Sequence, residues 1–570
     1  MKLVPRPTHT AAAQALTEAG EHPLLSQLFA SRGVSDAMDL DLSLKHLIPP
    51  SHLKGNEQAG QLLADAIESQ KQICIVADYD CDGATACAVA LSGLELLGAK
   101  NVHFLVPDRV HDGYGLTPKI SQRVKDTQAQ ILITVDNGIA SIEGVQVAKD
   151  LGLEVIITDH HLPGPSTPNA DVIVNPNQKG CTFESKSLAG VGVMFYVLLA
   201  LRAELRTRGY FVKHQLQEPK LDQLLPLVAL GSVADVVSLD VNNRRLIHQG
   251  LERIKKGIMP MGLKALIEVC AKDPTSLCSQ DLGFSIGPRI NAAGRLSDMT
   301  LGIECLITKD MKKAQLLAQT LDQINKDRKN IELEMKEQAL EIAMSLMDEQ
   351  EAAPAALCIF DPDFHEGVIG IVASRVKELY HRPTFVFANT TAKDKSHLLK
   401  GSGRSIAGFH LRDALDLMSK RYPDLIVQFG GHAMAAGCSI EEDQLALFES
   451  AFEETAIELL STEDLTQVVL VDGPLGQAHC HVDTAKRIKS TVWGQGFLAP
   501  LFVDEFEVLE QRVLGEQHLS LKLKLGQLLV DGIWFGRNER LSAKSTLAYK
   551  LEVDTWRGAE KLKLFIHCLA

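Results

Sequence analysis

The sequence is poor in aromatic residues and holds neither paired cysteines nor a long apolar run. Aromatic residues make up 5% of the chain, and its eleven cysteines are scattered, with none in a CxxC spacing. Scattered thiols in a chain of this size fit reduced, buried cysteines better than a disulfide framework or a zinc knuckle. No run approaches the roughly 18 apolar residues of a bilayer span, and the first residues lack the apolar core of a signal peptide. We therefore expect a cytoplasmic protein that does not contact a membrane.

The chain also lacks an excess of positive charge. Its 58 Lys and Arg residues against 72 Asp and Glu residues give a net charge of −14, which argues against a surface coated with positive charge for nucleic acid. A local basic groove stays compatible with this charge, because a metal site needs many carboxylates and the ion offsets them. The 570 residues are 45% hydrophobic and 23% charged. This composition is typical of a folded globular protein with about three or four domains.

From about residue 60, short apolar runs alternate with helical stretches. The predicted strands are QICIVAD, NVHFLVP, AQILITVDNG and LEVIITDHH, and the helices between them include one from about Ala84 to Leu97. This alternation is typical of βαβ units, so we expect an α/β fold with a parallel sheet. The first fifty residues are predicted to be helices and loops, and we assign them no chemistry.

The rest of the chain predicts a long helix, a second α/β domain and a small β domain. Met311 to Met347 contains neither Gly nor Pro, and its apolar residues recur at helical spacing, which predicts one helix joining two domains. The strand ALCIF, the loop DPDFHEG and the helix VIGIVASRVKELY then begin a new β/α unit. The last hundred residues change to short runs such as HLSLKLKL and LLVDGIWF, which favour a barrel or sandwich.

Acidic clusters follow three of the predicted strands directly. Their members are Asp78, Asp80 and Asp82 in VADYDCDGATA, Asp136 in TVDNG, and Asp159 with His160 and His161 in ITDHH. Ligands of parallel sheets gather at the carboxyl ends of the strands. Carboxylates that converge there raise each other's pKa unless a cation keeps them ionised. With imidazoles present and no thiolate, the pattern favours a site for two divalent ions such as Mn²⁺ or Mg²⁺.

The first acidic cluster has two other interpretations. DxDxDG also begins an EF-hand calcium loop, but that loop needs helical flanks and a glutamate at position twelve, where this chain has Val89. A solvated acidic turn in which Asp82 caps the next helix is the second alternative, which the acidic ends of the other strands weaken. Cys81 would lie on extended backbone with its side chain pointing away from its neighbours' carboxylates, so we interpret it as a packing residue.

The motifs resemble the DHH phosphoesterase superfamily and, within it, the RecJ single-strand-specific exonucleases. The segments that carry the resemblance are DYDCDG (78–83), VDNG (135–138), DHH (159–161), SVADVV (232–237), GPRINAAGRLSD (287–298), SGRS (402–405) and GGHAMAAG (430–437). DHH alone is a weak match of three letters. Four acidic motifs followed by glycine-rich motifs, in this order from about residue 50 to the end of the chain, are far more specific.

The resemblance implies a division of the chain into five parts. These are an N-terminal segment (1–50), a DHH catalytic domain (51–270), a connector with the long helix (271–347), a DHHA1-type substrate-binding domain (348–455) and an OB-like nucleic-acid-binding barrel (465–570). The implied fold class is α/β, with a parallel-sheet DHH domain and a second α/β domain joined by the long helix, followed by the C-terminal barrel.

The resemblance also implies which residues form the metal site. The implied ligands are Asp80, Asp82, Asp136, His160 and Asp235, with Asp78, Asp159 and His161 as further ligands or as residues that orient them. Asp136, His160 and His161 would be the catalytic residues. Without the resemblance, Asp235 would be an ordinary aspartate at the end of a helix. Two ions about 3.5 to 4 Å apart bind a scissile phosphate and activate water, so phosphodiester hydrolysis is expected.

The remaining motifs are implied to bind the substrate. Arg109, Ser402 and Arg404 would form a 5′-phosphate pocket, because the fork of an Arg side chain binds two phosphate oxygens; an exposed surface Arg is the alternative at Arg109. Further candidates are Arg289, Asn291 and Arg295 in GPRINAAGR, for which a tight interdomain turn is the alternative, and His432 in a glycine-rich, flexible-looking segment. His365 precedes a predicted helix and would contact the nucleic acid backbone, or else cap the helix or pack in the core.

The C-terminal barrel is expected to bind a single strand through cations and stacked aromatic rings. The cations would be Lys522, Lys524, Lys561 and Lys563, and the stacking residues would be Trp493, Trp534 and Trp556, with a place in the core as the alternative for each Trp.

The function implied is a 5′-to-3′ exonuclease that degrades single-stranded DNA to mononucleotides with Mn²⁺ or Mg²⁺, in DNA repair and recombination. The chain is expected to be a monomer that works with a single-strand-binding protein and a helicase. One alternative is a DHH phosphodiesterase for short oligoribonucleotides, cyclic dinucleotides or pyrophosphate. The other is a DNA-binding scaffold on a decayed DHH domain, which the presence of the metal ligands disfavours.

Overall fold

The computed structural model describes residues 1–109, 112–348, 353–391, 397–554 and 559–570. The N-terminal segment contains β1 (Lys2–Pro5), α1 (Thr10–Glu18) and α2 (Pro23–Ala30). The prediction of helices and loops alone was wrong here, because β1 pairs in parallel with a strand near residue 470. A strand of four residues whose partner lies more than 460 positions away has no local sequence signal. In the part of the chain that is described, we find no helix with the length and apolar character that crossing a membrane requires.

The first α/β domain is built on a parallel sheet with the strand order β3-β2-β4-β5-β6. Its elements are α3 (Asn56–Glu68), β2 (Ile73–Ala77), α4 (Cys81–Leu96), β3 (Val102–Leu105), α5 (Pro118–Asp126), β4 (Ile131–Val135), α6 (Ile142–Asp150), β5 (Glu154–Thr158) and β6 (Val172–Val174). Both β2 and β4 are buried over their whole length, as parallel strands covered on two faces are. Because β3 and β4 lie on opposite sides of β2, the strand order reverses at β2. In parallel sheets this reversal leaves a crevice at the carboxyl ends of the strands, and ligands bind there.

Five helices follow the sheet along the chain, and the first of them contacts two of its strands. They are α7 (Gly190–Thr207), α8 (Tyr210–Lys213), α9 (Leu225–Ala234), α10 (Val241–Lys255) and α11 (Met261–Val269). The buried helix α4 packs between the sheet and the pair α7 and α9. This packing fixes the start of α4, of α7 and the end of α9 close to the carboxyl ends of the strands.

The connector is built from helices joined by short loops. It contains α12 (Ser279–Asp281), a π-helix (Leu282–Ile286), α13 (Gly287–Leu296), α14 (Thr300–Ile307) and the long helix α15 (Met311–Asp348). The long helix was predicted almost to the residue. The motif GPRINAAGR forms α13 and not a tight turn, because its proline stands in the first turn, where no intrahelical N–H is required.

The second α/β domain has a mixed sheet with the order β10-β11-β9-β8-β7. Its elements are β7 (Leu357–Phe360), α16 (Ile369–Tyr380), β8 (Thr384–Asn389), β9 (Leu398–Arg404), α17 (Leu411–Arg421), β10 (Gln428–Gly431), β11 (Ala435–Glu441) and α18 (Leu445–Leu459). The glycine-rich segment FGGHAMAAG was expected to be flexible. It forms instead the antiparallel pair β10 and β11, whose tight turn contains His432.

The C-terminal region ends in a closed barrel with the order β13-β14-β15-β17-β16. Its elements are β12 (Val468–Val471), α19 (Gly476–His479), α20 (Val482–Ser490), β13 (Phe502–Leu514), β14 (His518–Leu525), β15 (Leu528–Trp534), β16 (Lys544–Asp554) and β17 (Lys561–Leu569). The strand β12 pairs with β1, and the buried ion pair between Arg32 and Asp472 joins the same two segments at 2.7 Å. The predicted fold class of a parallel-sheet domain, a second α/β domain and a barrel is confirmed.

Candidate active site

Acidic residues extend three neighbouring strands by one residue each. The backbone N–H groups of Asp78, Asp136 and Asp159 donate to the carbonyl oxygens of Val135, Thr158 and Val174, at 3.3, 3.0 and 3.1 Å. Each aspartate is therefore fixed to the next strand of the sheet. Asp136 has a φ of 62°, an unusual conformation for a residue other than glycine and one that occurs at functional sites.

His160 lies at the centre of the acidic groups. Its Nε2 atom is 3.1 Å from Asp136 Oδ1, 3.5 Å from Asp235 Oδ2 and 4.0 Å from Asp82 Oδ2. Both His160 Nε2 and Asp136 Oδ1 are buried, and neither has a hydrogen-bond partner among the described residues. Buried polar atoms of this kind require a partner, and a cation between the imidazole and the carboxylates would be one.

Three overlapping groups of residues could hold a metal ion. They are Asp136 with His160 and His161, Asp82 with His160 and Asp235, and Asp78 with Asp80 and Asp136, and within each group the ligand atoms lie within 4.8 Å of one another. Because Asp136 and His160 each belong to two groups, the sites are adjacent. Oxygen and nitrogen ligands without a thiolate suit Mn²⁺ or Mg²⁺.

The electrostatics of the site also require a cation. Burial, together with the charge of Asp80, raises the pKa of Asp78 to about 8 and that of Asp82 to about 7. Burial and the surrounding carboxylates raise the pKa values of Asp136 and Asp235 well above their usual range. Such a cluster gives up its protons at neutral pH only when positive charge compensates it. The residues therefore fit a metal site.

The loop between β2 and α4 holds two of these carboxylates in different ways. Asp80 precedes α4 and accepts a hydrogen bond from the Gly83 N–H at 2.9 Å, as an N-cap residue does. Both oxygens of Asp82 accept from backbone N–H groups at the start of α7, from Gly190 at 2.6 Å and from Val191 at 2.9 Å. The free N–H groups of a helix N-terminus stabilise a carboxylate, so α7 fixes the orientation of Asp82.

Asp159 orients the second histidine of the DHH motif. Its Oδ1 atom is 2.7 Å from His161 Nδ1 and accepts from the backbone N–H groups of His160 and His161, and its Oδ2 accepts from Ile139 N–H. Burial opposes the charge on His161, but the hydrogen bond to Asp159 and the charges of Asp159, Asp78 and Asp80 together outweigh it and raise the pKa of His161 to about 9. At His160 burial prevails, and the pKa is lowered to about 4.

The two α/β domains meet at this histidine pair. The ring of His432, in the turn between β10 and β11, stacks on the ring of His161 with a centroid distance of 6.3 Å and an interplanar angle of 13°. Tyr114 approaches His161 from another side, with its hydroxyl 3.4 Å from Nε2. Sequence reasoning missed Tyr114, although it lies in the segment VPDRVHDGYGLT that also contains Arg109.

An arginine cluster adjoins the acidic loop. The Arg109 guanidinium lies 5.0 Å from the ring centre of Tyr79, the residue between Asp78 and Asp80. Arg404 donates to Ser402 Oγ at 3.2 Å, and the start of α16 packs against both side chains. Burial first, and then the charges of Arg109, Arg404 and Arg328, lower the pKa of Arg295 to about 10. Guanidinium groups this close to one another form a site for an anion.

The other predicted substrate residues make contacts within the protein. Arg289 donates to Asp322 on α15 at 2.9 Å, and Asn291 accepts from the backbone N–H of Cys81 at 2.8 Å. Arg295 donates to the Gly367 carbonyl oxygen at 3.2 Å, and His365 Nδ1 accepts from the Gly367 N–H at 3.0 Å. The substrate roles of these four residues stay predictions.

The backbone at Cys81 differs from the prediction. Cys81 is the first residue of α4, which begins three residues earlier than expected, so its backbone is helical and not extended. Its side chain is only 1% exposed and lies in the hydrophobic core, and burial raises the pKa of its thiol well above the usual value. Our interpretation of the side chain as a packing residue agrees with this position, but the reason given for it was wrong.

An aromatic residue other than the three predicted tryptophans is exposed on the barrel surface. Trp493 and Trp534 are 5% and 7% exposed and lie in the core, and Trp556 is outside the described residues. Phe535 is 53% exposed and contacts His518 and Phe565 edge-on, with centroid distances of 5.2 and 5.5 Å. The alternation in LLVDGIWF, which places Trp534 inside and its neighbour outside, is the signal that would have identified this residue.

The four lysines differ in their surroundings. Lys522 and Lys524 form ion pairs with Glu510 and Glu507 on the neighbouring strand, at 3.3 and 3.1 Å. Lys563 lies 3.4 Å from Asp554, and Lys561 is exposed at the start of β17. The paired lysines offer less positive charge than the sequence indicated, because their partners neutralise it.

Comparison with known proteins gives consistent matches along the chain. The DHH family, N-terminal domain, matches residues 72–232, the DHHA1 domain matches residues 338–458, and the RecJ OB domain matches residues 471–567. The single-stranded-DNA-specific exonuclease RecJ of Salmonella typhimurium is 46% identical over 552 residues, which cover 95% of each chain. The protein of the same name from Escherichia coli is 45% identical, with the same coverage.

Solved structures agree with these matches. The crystal structure of RecJ in complex with Mn²⁺ from Thermus thermophilus superimposes with a TM-score of 0.81 and 29% identity, covering 100% of this chain and 79% of that one. The complex of RecJ with Mg²⁺ from the same organism gives a TM-score of 0.74 with 27% identity, covering 100% and 78%. The chain therefore belongs to the RecJ family of single-stranded-DNA-specific exonucleases.

Proposed function

We propose that the chain is a metal-dependent exonuclease that hydrolyses single-stranded DNA to mononucleotides from the 5′ end, in DNA repair and recombination. The observation that carries this proposal is the position of Arg109 on the ring of Tyr79, between two of the acidic residues. A phosphate-binding cluster directly beside a metal site suits an enzyme that holds the end of a chain and cuts next to it. The names of the relatives support the substrate.

The metal ligands in this proposal are the residues that surround Asp136. Asp80, Asp82, Asp136, His160 and Asp235 would hold the ions, and Asp78 would contribute to the same group. When bound, Mn²⁺ or Mg²⁺ polarises the scissile phosphate and supplies a nucleophilic water at neutral pH. The protein's own part is to keep these side chains oriented, through the N-terminus of α7 at Asp82 and the capped loop at Asp80.

In this proposal His161 contacts the scissile phosphate. Asp159 holds its Nδ1 atom, so its Nε2 atom faces the cleft between the two domains, where His432 and Tyr114 lie. A protonated imidazole in this position donates a hydrogen bond to a phosphate oxygen and stabilises the charge that develops there. The hairpin of the second domain places His432 beside it for the same phosphate or the next one.

The arginine cluster is assigned to the 5′-terminal phosphate. Arg109 comes from the first domain, while Ser402 and Arg404 come from β9 of the second domain. An anion between them would join the domains, since guanidinium groups bind phosphate through paired hydrogen bonds. Arg295 lies close to both arginines and would add its charge. This arrangement gives the enzyme its direction.

The barrel is assigned to the single strand that leaves the cleft. The exposed ring of Phe535, with His518 and Phe565 beside it, offers a surface on which bases can stack, and such stacking is worth about 1–3 kcal/mol per base. The proposal further includes a monomeric state, a cytoplasmic location, and supply of the strand by a helicase and a single-strand-binding protein. The five-part division of the chain at 50, 270, 347 and 455–465 also belongs to it.

The other interpretations have less support. A phosphodiesterase for cyclic dinucleotides or short oligoribonucleotides would not need a barrel that binds a long strand, because its substrates are short. A scaffold on a decayed DHH domain would have lost metal ligands, whereas this chain has Asp80, Asp82, Asp136, His160, His161 and Asp235.

The test compares the protein with its Asp136→Ala variant. We expect the unchanged protein to shorten single-stranded DNA with a 5′-phosphate in the presence of Mn²⁺, and the variant to lose this activity while keeping its fold and its binding of single-stranded DNA. Asp150→Ala, at the end of α6, is the control and should be fully active. Hydrolysis of a cyclic dinucleotide alone, or Mn²⁺-dependent turnover by the Asp136 variant, would refute the proposal.

A further inference from the structure

The helix α13 of the connector contacts the metal-binding loop through a side chain. The first N–H groups of a helix have no acceptor within that helix. At the start of α4, Asp80 accepts from the Gly83 N–H, whereas the N–H of Cys81 donates to the Oδ1 atom of Asn291 at 2.8 Å. Asn291 is 210 positions further along the chain, so it contributes to the cap of α4 from another element.

A second contact lies one turn further along α13. The α-carbon of Gly294 packs against the carbonyl oxygen of Tyr79 so closely that an added Cβ would overlap it. Tyr79 and Cys81 are the two neighbours of Asp80. The helix α13 therefore touches the backbone on both sides of this metal ligand and fixes the peptide groups that flank it.

The contact of Asn291 gives the N–H of Cys81 an acceptor other than the carboxylates on either side of it. Cys81 is buried, and a buried N–H without an acceptor is costly. If the amide oxygen of Asn291 were removed, this N–H would lose its acceptor, and the peptide group between Asp80 and Cys81 would be free to turn toward another one. Such a rotation would move the side chain of Asp80, which precedes this peptide group, and the start of α4, which carries Asp82.

We propose that Asn291 is a positioning residue of the metal centre, which acts on Asp80 and Asp82 through the backbone of Cys81. This inference rests on the proposed function and refines it, since Asn291 was predicted from the sequence to bind the substrate. The two roles use different atoms. Positioning needs the acceptor Oδ1, whereas binding of a phosphate needs the donor Nδ2.

The experiment measures Mn²⁺ binding in the absence of DNA, by electron paramagnetic resonance of the free ion. Asn291→Ala removes the acceptor, and we expect it to weaken Mn²⁺ binding about 10- to 100-fold, as the loss of a residue that orients metal ligands does. Asn291→Asp keeps an acceptor oxygen and should therefore lose clearly less affinity for Mn²⁺ than the Ala variant does. A phosphate-binding role would predict no change in Mn²⁺ binding for either variant.

Asn56→Ala is the matched control. Asn56 is also buried and makes two hydrogen bonds, to the carbonyl oxygens of Pro50 and Tyr196, so its loss affects stability but should leave Mn²⁺ binding unchanged. Equal Mn²⁺ affinity in the Ala variant of Asn291 and the unchanged protein would overturn the inference, as would an equal loss in the Ala and Asp variants. If the unchanged protein bound no Mn²⁺, the proposed function itself would fail.

Discussion

Gly190 offers a test of the candidate metal site that leaves every proposed ligand unchanged. It is the first residue of α7, and its N–H donates to Asp82 at 2.6 Å. A Cβ added at this position would lie 2.6 Å from the Cβ of Asp136 and 2.7 Å from its Oδ1 atom. Gly190→Ala therefore pushes directly on the aspartate shared by two of the candidate metal groups.

The size of the effect follows from this overlap. Ordinary contacts of a Cβ atom begin at about 3.4 Å, so Asp136 or the start of α7 must move by roughly 1 Å, and a displacement of this size at a catalytic group costs about 100-fold in rate. We expect the rate on single-stranded DNA to fall by this factor. Mn²⁺ binding should weaken as well, because either movement disturbs Asp82 or Asp136.

The assay is the initial rate of release of acid-soluble nucleotide at increasing Mn²⁺ concentration. Gly192→Ala on the same helix is the control, since its Cβ would meet the side chain of Leu188, so that any cost falls on core packing and not on a metal ligand. Both substitutions are favoured by helix propensity, so the comparison isolates the push on Asp136. Wild-type rates and wild-type Mn²⁺ dependence in the Gly190 variant would refute the reasoning.

Three other substitutions test separate parts of the account. Arg404→Ala should lower the preference for a 5′-phosphorylated over a 5′-hydroxyl end by about 10- to 100-fold, since a hydrogen bond to a charged group is worth about 1.5–3 kcal/mol; an unchanged ratio of the two rates would remove Arg404 from the pocket. Cys81→Ala should keep full Mn²⁺-dependent activity. An inactive variant would contradict a packing role for Cys81. Asp472→Asn should lower the free energy of unfolding in a denaturant titration by about 3–5 kcal/mol, because the buried Arg32 loses its partner; a change below about 1 kcal/mol would contradict this, and the exposed Asp443→Asn is the control.

The sheet and the acidic cluster could be predicted because their signals are local. Each strand is a short apolar run, and Asp78, Asp136 and Asp159 follow such runs directly. Since parallel strands end at the same edge of a sheet, adjacency in the sequence was sufficient to bring these residues together. The long helix was predictable for a similar reason, because its apolar period continues without Gly or Pro.

The contacts between distant segments could not be predicted from the sequence. Nothing near Cys81 indicates that Asn291 accepts its N–H, and nothing near His432 indicates that its ring stacks on His161. The start of α4 was missed because the helix begins directly after the capping Asp80, inside the motif itself. In the barrel, Trp534 was expected to stack on bases, although the alternation of β15 directs its side chain inward.

The most direct test of the account is product analysis on one DNA sequence, single-stranded and in a duplex, labelled at the 5′ or the 3′ end. The account predicts that Mn²⁺ or Mg²⁺ is required, that the 5′ label appears first in mononucleotides, and that the single strand is degraded in preference to the blunt duplex. Release of the 3′ label first, internal cuts as the first products, or equal activity in excess EDTA would contradict it.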